Sequence, residues 1–340
     1  MRSVSRFSCM CAAVALSASA LLAQTTQLDK NKKQSLNLPA NPPLVAVGET
    51  SRLVFNISPL SGKGLLSEQT RDALKAIQKL NGGAPIVHIR AFSAGNGDIR
   101  RIPQIVSDVL GEKRDPLPSV SIIQAGALTL DDAQVVLETI SLGRKVVNKD
   151  GLSFYMSDTQ TANDPSATVA ALLTNAADQL AAKMKGQPAL SVTCFVSDLD
   201  GAPALLKTLT SSFAGAAIDL VQPRRLAWQT EASCEGVARG AGLTGGLTAA
   251  RIAFSGTQVA FGIQATDAAL AFQRLDKAMT ESGAPTTGNT ALIHLYLISP
   301  DTAAIALKQV AGPAPVMSIS AEGVGAVSGG FAIDAVAPVR

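Results

Sequence analysis

The sequence predicts an α+β fold in which three diverged copies of one small module lie in tandem and close on one another as a single-chain pseudo-trimer. Three observations predict it. A six-element order of strand, helix, strand, helix, strand, strand recurs three times in 340 residues. The chain is 47% hydrophobic but only 4% aromatic, so its cores are built from Ala, Val, Leu and Ile. A module with one sheet and two helices covers a single sheet face, and two sibling copies are the natural shelter for the bare one.

The N-terminus reads as a leader. Arg2 and Arg6 precede an apolar run from about Cys9 to Ala23, with Ala18-Ser19-Ala20 and Ala23-Gln24 as cleavage candidates. That is the layout of a secretory signal over residues 1–23, and the run is short for a bilayer span. Export to the periplasm or medium is the expectation. Residues 24–44 are polar and Pro-punctuated and read as a linker. The formal net charge is +3, and losing Arg2 and Arg6 with the leader leaves +1. So neutral a surface offers no footprint for nucleic acid, and no further apolar run implies a membrane span after leader removal. Cys194 and Cys234 remain in the mature chain. An oxidising compartment permits one disulfide, and two buried free cysteines are the alternative.

The first module, 45–147, opens with a strand over 51–58. A helix over 67–80 follows, with Leu74, Ile77 and Leu80 on one face and Gly82-Gly83 stopping it. Then come a strand over 86–92, a helix over 99–110, and strands over 119–124 and 134–140. The second module, 148–242, repeats this with a strand over 152–157 and a helix over 166–184 carrying Leu172, Leu173 and Leu180. A strand over 190–196, a helix over 202–213, and closing strands over 224–229 and 232–238 complete it. Gly240 to Gly246 reads as a linker. The third module, 243–340, has a strand over 251–258, a helix over 267–282 and a strand over 291–298. A short helix over 303–309 and strands over 316–320 and 331–337 close it. The middle strands set the register between copies, with His88, Ser191 and His294 at one position. Two histidines without further ligands make a poor metal site, so no metal is expected.

Several segments carry a family likeness. Gln69-Thr-Arg-Asp-Ala-Leu-Lys-Ala-Ile77 leads through Phe92 to Leu117-Pro-Ser-Val-Ser-Ile-Ile-Gln-Ala-Gly-Ala-Leu128. Phe254-Ser-Gly-Thr-Gln258 looks like a first-strand Phe-x-Ser-Gly-Gln, and Phe331-Ala-Ile-Asp-Ala-Val-Ala337 like a last strand Val-Glu-Ile-Glu-Ala-Ile-Ala. Taken in order, three times over, these segments resemble the RidA/YjgF family of reactive-intermediate imine/enamine deaminases. The resemblance implies a chorismate-mutase-like fold, a ligand cleft at each module interface and a cofactor-free hydrolase.

It also implies a site. An arginine would hold a carboxylate ligand bidentately, and a last-strand glutamate would orient water for attack on C=N. The second module supplies Arg225 and Glu235 at those positions, with Trp228 nearby. The third keeps Ser255-Gly256, which would complete the cleft. Val120 and Met317 or Pro315 stand at the arginine position elsewhere, whereas Glu138 and Asp334 match the glutamate. Two functions stay open: an exported imine/enamine deaminase with one residual site, or a non-catalytic binder of small carboxylate-bearing molecules or a structural protein. The expected unit is a monomeric pseudo-trimer without cofactor.

Overall fold

The computed structural model describes residues 40–112, 116–162, 168–240 and 249–339. The leader expected over 1–23, most of the linker over 24–44 and most of the Gly240–Gly246 linker lie outside them. Residues 40–339 belong to one compact unit. The fold is α+β, built on three mixed sheets.

The first sheet contains β2 (Leu53–Ile57), β3 (Ile86–Ser93), β4 (Ser119–Gln124) and β6 (Val136–Leu142), backed by α1 (Leu66–Leu80) and α2 (Ile102–Gly111). The second contains β7 (Leu152–Met156), β8 (Gln160–Ala162), β9 (Ala189–Val196), β10 (Ala217–Gln222) and β11 (Thr230–Arg239), with α3 (Val169–Met184) and α4 (Ala202–Ser212). The third contains β12 (Arg251–Ser255), β13 (Gln258–Phe261), β14 (Leu292–Leu297), β15 (Val316–Ser320) and β16 (Gly329–Val339), with α5 (Ala265–Glu281) and α6 (Pro300–Leu307). One strand order recurs: β2-β6-β3-β4, then β7-β11-β9-β10, then β12-β16-β14-β15. In each, the middle pair is antiparallel and the last pair parallel.

Two short strands cross between sheets. β1 (Val45–Glu49) pairs antiparallel with β12, so the start of the described chain completes the third sheet. β5 (Ala127–Leu128) pairs with β10 and so belongs to the second. Sheet membership therefore does not follow the module boundaries at 45 and 147 drawn from sequence.

Strand alternation divides the core. Ile89 and Ala91 on β3 face helices α1 and α2, Val192, Cys194 and Val196 on β9 face α3 and α4, and Ile293, Leu295 and Leu297 on β14 face α5 and α6. The intervening residues point to the centre of the molecule, where all three sheets contribute to one apolar cluster containing Phe92, Phe195 and Tyr296. All three are buried, and each adds about 2 kcal/mol of hydrophobic stabilisation.

The structure corrects three sequence expectations. The fourth strand of the second sheet is β10 at Ala217–Gln222, not 224–229, which is a loop. Asp219 interrupts the apolar run there and hides the strand. Leu80 is 60% exposed at the end of α1, outside the core. His88 and His294 do not share a strand position. Cross-strand pairing matches Arg90 with Glu138, Thr193 with Glu235 and His294 with Asp334, so the third copy is shifted by two residues from the sequence register. With that shift Phe92, Phe195 and Tyr296 become equivalent.

Cys194 and Cys234 lie directly opposite on β9 and β11 and form a disulfide. Closing a loop across 40 residues of sequence separation gives about 4 kcal/mol in the chain-entropy account. The double variant Cys194→Ala/Cys234→Ala should lose roughly 2–4 kcal/mol in urea unfolding. An unchanged midpoint would show that the cross-link contributes nothing.

Candidate functional site: a polar cluster and cavity at the junction of three sheets

Above the aromatic layer, two residues back along each middle strand, the side chains are polar. Arg90 from β3 donates Nε–H to Glu138 Oε2 (2.6 Å), and its Nη2 also pairs with Glu138 and with Glu235 of the second sheet. Thr193 accepts from Arg90 Nη2 at 3.3 Å and donates to Glu138 Oε1 at 2.6 Å. His294 on the third sheet meets Glu235 Oε2 through Nε2 (2.7 Å) and Asp334 Oδ1 through Nδ1 (2.5 Å). Asp334 Oδ2 in turn accepts from Ser121 of the first sheet (2.6 Å) and from the Tyr296 hydroxyl (3.2 Å). The chain of contacts therefore links the three sheets.

Both ring nitrogens of His294 face carboxylates, which accept only, so both carry protons. Burial alone would lower its pKa, but Glu235 and Asp334 outweigh that and raise it to about 9. Burial likewise disfavours ionised Glu235, yet Arg90 and His294 bring it down to about 2. Arg90 Nη1 lies 3.3 Å from His294 Nε2. That approach is a contact of two cations rather than a hydrogen bond, because Nε2 already gives its proton to Glu235, which bridges them.

His88 differs. Its Nδ1 lies 2.9 Å from Ser119 Oγ, which donates to the carbonyl of Phe254 at 2.8 Å. A serine has one hydroxyl proton, and a carbonyl can only accept it, so Ser119 must accept from His88 Nδ1–H. That fixes the tautomer and leaves Nε2 unprotonated, with no hydrogen-bond partner among the described residues. Burial, chiefly, lowers the His88 pKa to about 4, so the ring is neutral at pH 7. It stacks on Phe254 with centroids 5.7 Å apart.

A cavity of about 80 Å³ opens beside the cluster, lined from all three sheets. At about 30 Å³ per water in the liquid, it holds about three. Phe55, Phe154 and Phe254 form apolar walls, and His88, Arg90 and His294 line its polar side. Asn56 and Ser255 also line it. Asn56 Nδ2 is buried without a partner among the described residues, whereas Ser255 Oγ accepts from Ala335 N at 2.9 Å. Phe55, Ile140, Ser191 and Val237 are only half-buried and mark the mouth.

The residues expected from sequence are thus divided. Glu235 and Ser255 reach the cavity. Arg225 sits on the exposed loop after β10, its backbone N–H bound to Glu322 Oε2 at 3.0 Å. Trp228, on the same loop, stacks under the Arg224 guanidinium at 4.6 Å. Neither lines the cavity, because the strand expected to present them lies seven residues earlier. Gly256 packs on the Val120 backbone, where a Cβ would come within 2.5 Å of the Val120 carbonyl oxygen. It too stands apart. Sequence reasoning missed Arg90, Thr193 and the pairing of His294. The available signal was an arginine inside the apolar alternation of 86–92, which needs a buried partner.

No family model matches the chain, and no curated protein does. Solved structures align along most of it at low similarity. A cyanuric acid hydrolase described as arising by structural concatenation is 10% identical, covering 86% of this chain and all of its own, with a TM-score of 0.23. A chorismatase is 10% identical, over 84% of this chain and 98% of its own, with a TM-score of 0.26. A cyanuric acid hydrolase from A. caulinodans is 14% identical, over 85% and 99%, with a TM-score of 0.23. RidA/YjgF membership, expected from sequence, is therefore corrected: no family model supports it, and these alignments lead to other proteins. The arginine that the resemblance implied is displaced as well, since Arg225 lies on the loop after β10 and not on a strand.

Two predictions follow from the cluster. Arg90→Met strips Glu138 and Glu235 of their buried cation and should cost about 3–5 kcal/mol in chemical denaturation. The histidines give opposite pH dependences. His294, raised to about 9, adds stability that is complete below 6.5 and lost as pH rises towards 9. His88, lowered to about 4, favours the fold above 6.5, and that advantage shrinks as pH falls towards 4. Unfolding free energy should therefore peak near pH 6.5, and His294→Gln should flatten the alkaline side. A wild-type profile flat from pH 6.5 to 9 would contradict the protonated His294.

Proposed function

We propose that the protein binds a small, neutral molecule in the central cavity, one that offers an N–H or O–H to His88 Nε2 and a carbonyl to Asn56 Nδ2. The carrying observation is the unprotonated Nε2 of a buried histidine whose tautomer Ser119 dictates. Arg90 and His294 are already engaged by carboxylates. An added carboxylate would meet Glu138, Glu235 and Asp334 at a desolvation cost of several kcal/mol. Among the described residues no cation lining the cavity lacks a carboxylate partner, His88 being neutral. Amides and ureas fit this donor and acceptor pattern.

Magnitudes favour binding over acid–base chemistry. A useful general base or acid has a pKa near the working pH. His88 at about 4, Glu235 at about 2 and His294 at about 9 are each two or more units away from 7. A hydrolytic reading rests on a different observation: the Thr193 hydroxyl, 2.6 Å from Glu138 Oε1 and lining the cavity, has the geometry of a nucleophile beside a base.

The repeated strand order supports reading the chain as three tandem modules, near 45–147, 148–242 and 243–340, closed as a pseudo-trimer. A disulfide supports export to an oxidising compartment.

Titration calorimetry with acetamide, urea and acetate tests the site. The first two should bind and acetate should not, and His88→Leu should weaken amide binding at least tenfold. Preference for acetate would overturn the proposal. Turnover of an amide that Thr193→Val abolishes would favour hydrolysis.

A further inference from the structure

We propose that the open edge of β2 is a docking groove for an extended peptide strand, added antiparallel to β2 where the first and second sheets meet. The equivalent groove elsewhere in the same chain shows what such an edge accepts. At the junction of the third and first sheets, β12 packs against β3 and β4, and β1 lies along the free edge of β12. Gly256 N donates to Leu44 O at 2.8 Å and Thr50 N to Ala250 O at 2.8 Å, so the bonded pairs alternate and Ala46 faces Phe254. At the junction of the first and second sheets, β2 packs against β9 and β10 in the same way, with Phe55 in the place of Phe254. There no strand fills the edge among the described residues.

The unused backbone groups can be identified. Gly143 N donates to Arg52 O at 2.8 Å and Ser58 N to Leu137 O at 2.9 Å. Bonded pairs alternate along an antiparallel ladder, so Arg52, Val54, Asn56 and Ser58 turn their backbone towards β6. Leu53, Phe55 and Ile57 turn theirs outward. Asn148 Nδ2 takes the Leu53 carbonyl at 2.8 Å, which closes the start of the edge. Phe55 and Ile57 have no such partner among the described residues.

Beside this edge runs a groove of about 1090 Å³. Its floor and walls include Leu190, Ile218 and the exposed Leu80, with Lys79 and Arg239 at its rim. Leu190 of β9 stands where β3 has Val87, and Gly48 of β1 lies over Leu53 and Val87, with Leu53 the nearer. The groove therefore suits a strand like β1, with small residues alternating along it and an acidic end for the two cations. An edge left open to water is otherwise a hazard that proteins cover or charge. The occupant is a partner polypeptide, and its backbone, not its side chains, makes the main attachment.

The probe is a fluorescent peptide with the sequence of residues 44–50, added to the full chain and followed by anisotropy and amide hydrogen exchange. Saturable binding should protect the Phe55 and Ile57 amides. Two variants should each weaken it at least tenfold: Ile57→Pro, which removes an outward N–H and leaves the ladder with β6 intact, and Leu80→Asp, which charges an already exposed side chain. The same peptide N-methylated at the residue corresponding to Ala46 should fail to bind the wild-type protein. No saturable binding at millimolar peptide, equal binding of the N-methylated peptide, or protection confined to β12 would overturn the proposal.

Discussion

One buried charge constellation governs the rest of the structure. Arg90 can leave water only if carboxylates follow it, and those carboxylates come from different sheets: Glu138 from the first and Glu235 from the second. Glu235 then engages His294 of the third sheet, whose other nitrogen needs Asp334. Two formal cations face three carboxylates, and Asp219 nearby is pushed towards its neutral form by burial and by Glu138. Separating the second sheet from either of the others would strand a charge in apolar surroundings, at a cost comparable to a large share of a domain's stability. The aromatic layer beneath supplies hydrophobic energy without direction. The ionic layer supplies the geometry that makes one arrangement of the sheets preferable to others.

The sheets also lend one another backbone. β1 completes the third sheet from a segment that leads directly into the first, and β5 leaves the first to extend the second. Gln124 at the end of β4 bridges to Gly323 between the closing strands of the third. Each exchange satisfies donors and acceptors that an isolated four-stranded sheet would leave at its edge. Where the exchange is incomplete among the described residues, along β2, the backbone of Phe55 and Ile57 remains available while the Phe55 side chain lines the central cavity. The two surfaces are thus back to back on one strand.

The cavity's chemistry follows from the same constraint. Groups held in strong mutual pairs are displaced from the pH range in which they could exchange protons, so the cluster is better suited to holding its shape than to acid–base work. His88 escapes pairing with a carboxylate and remains a neutral acceptor of defined tautomer. That separation of roles, charged residues for assembly and a neutral one for the ligand, is what the binding proposal draws on.

Much of the local structure was legible in the sequence. The six-element order, the amphipathic helices carrying Leu74, Ile77, Leu172 and Leu180, and the strands around Phe92, Phe195 and Tyr296 could be placed because each leaves a periodic trace of burial. Glu138, Glu235 and Asp334 were singled out only through the family likeness, as matches to its last-strand glutamate. What sequence could not supply was partnership. The β10 strand was hidden by Asp219, a polar interruption that is itself buried in the fold. The two-residue shift of the third copy is decided by which carboxylate His294 meets across β16. Arg225 looked functional by position along the chain, yet it lies on an exposed loop, while Arg90, which the sequence reading passed over, sits at the centre. Periodicity is a property of one segment and survives in one dimension. The pairing of buried charges and the choice of sheet for a short strand depend on residues some 50 to 200 positions apart, so only the tertiary structure decided them.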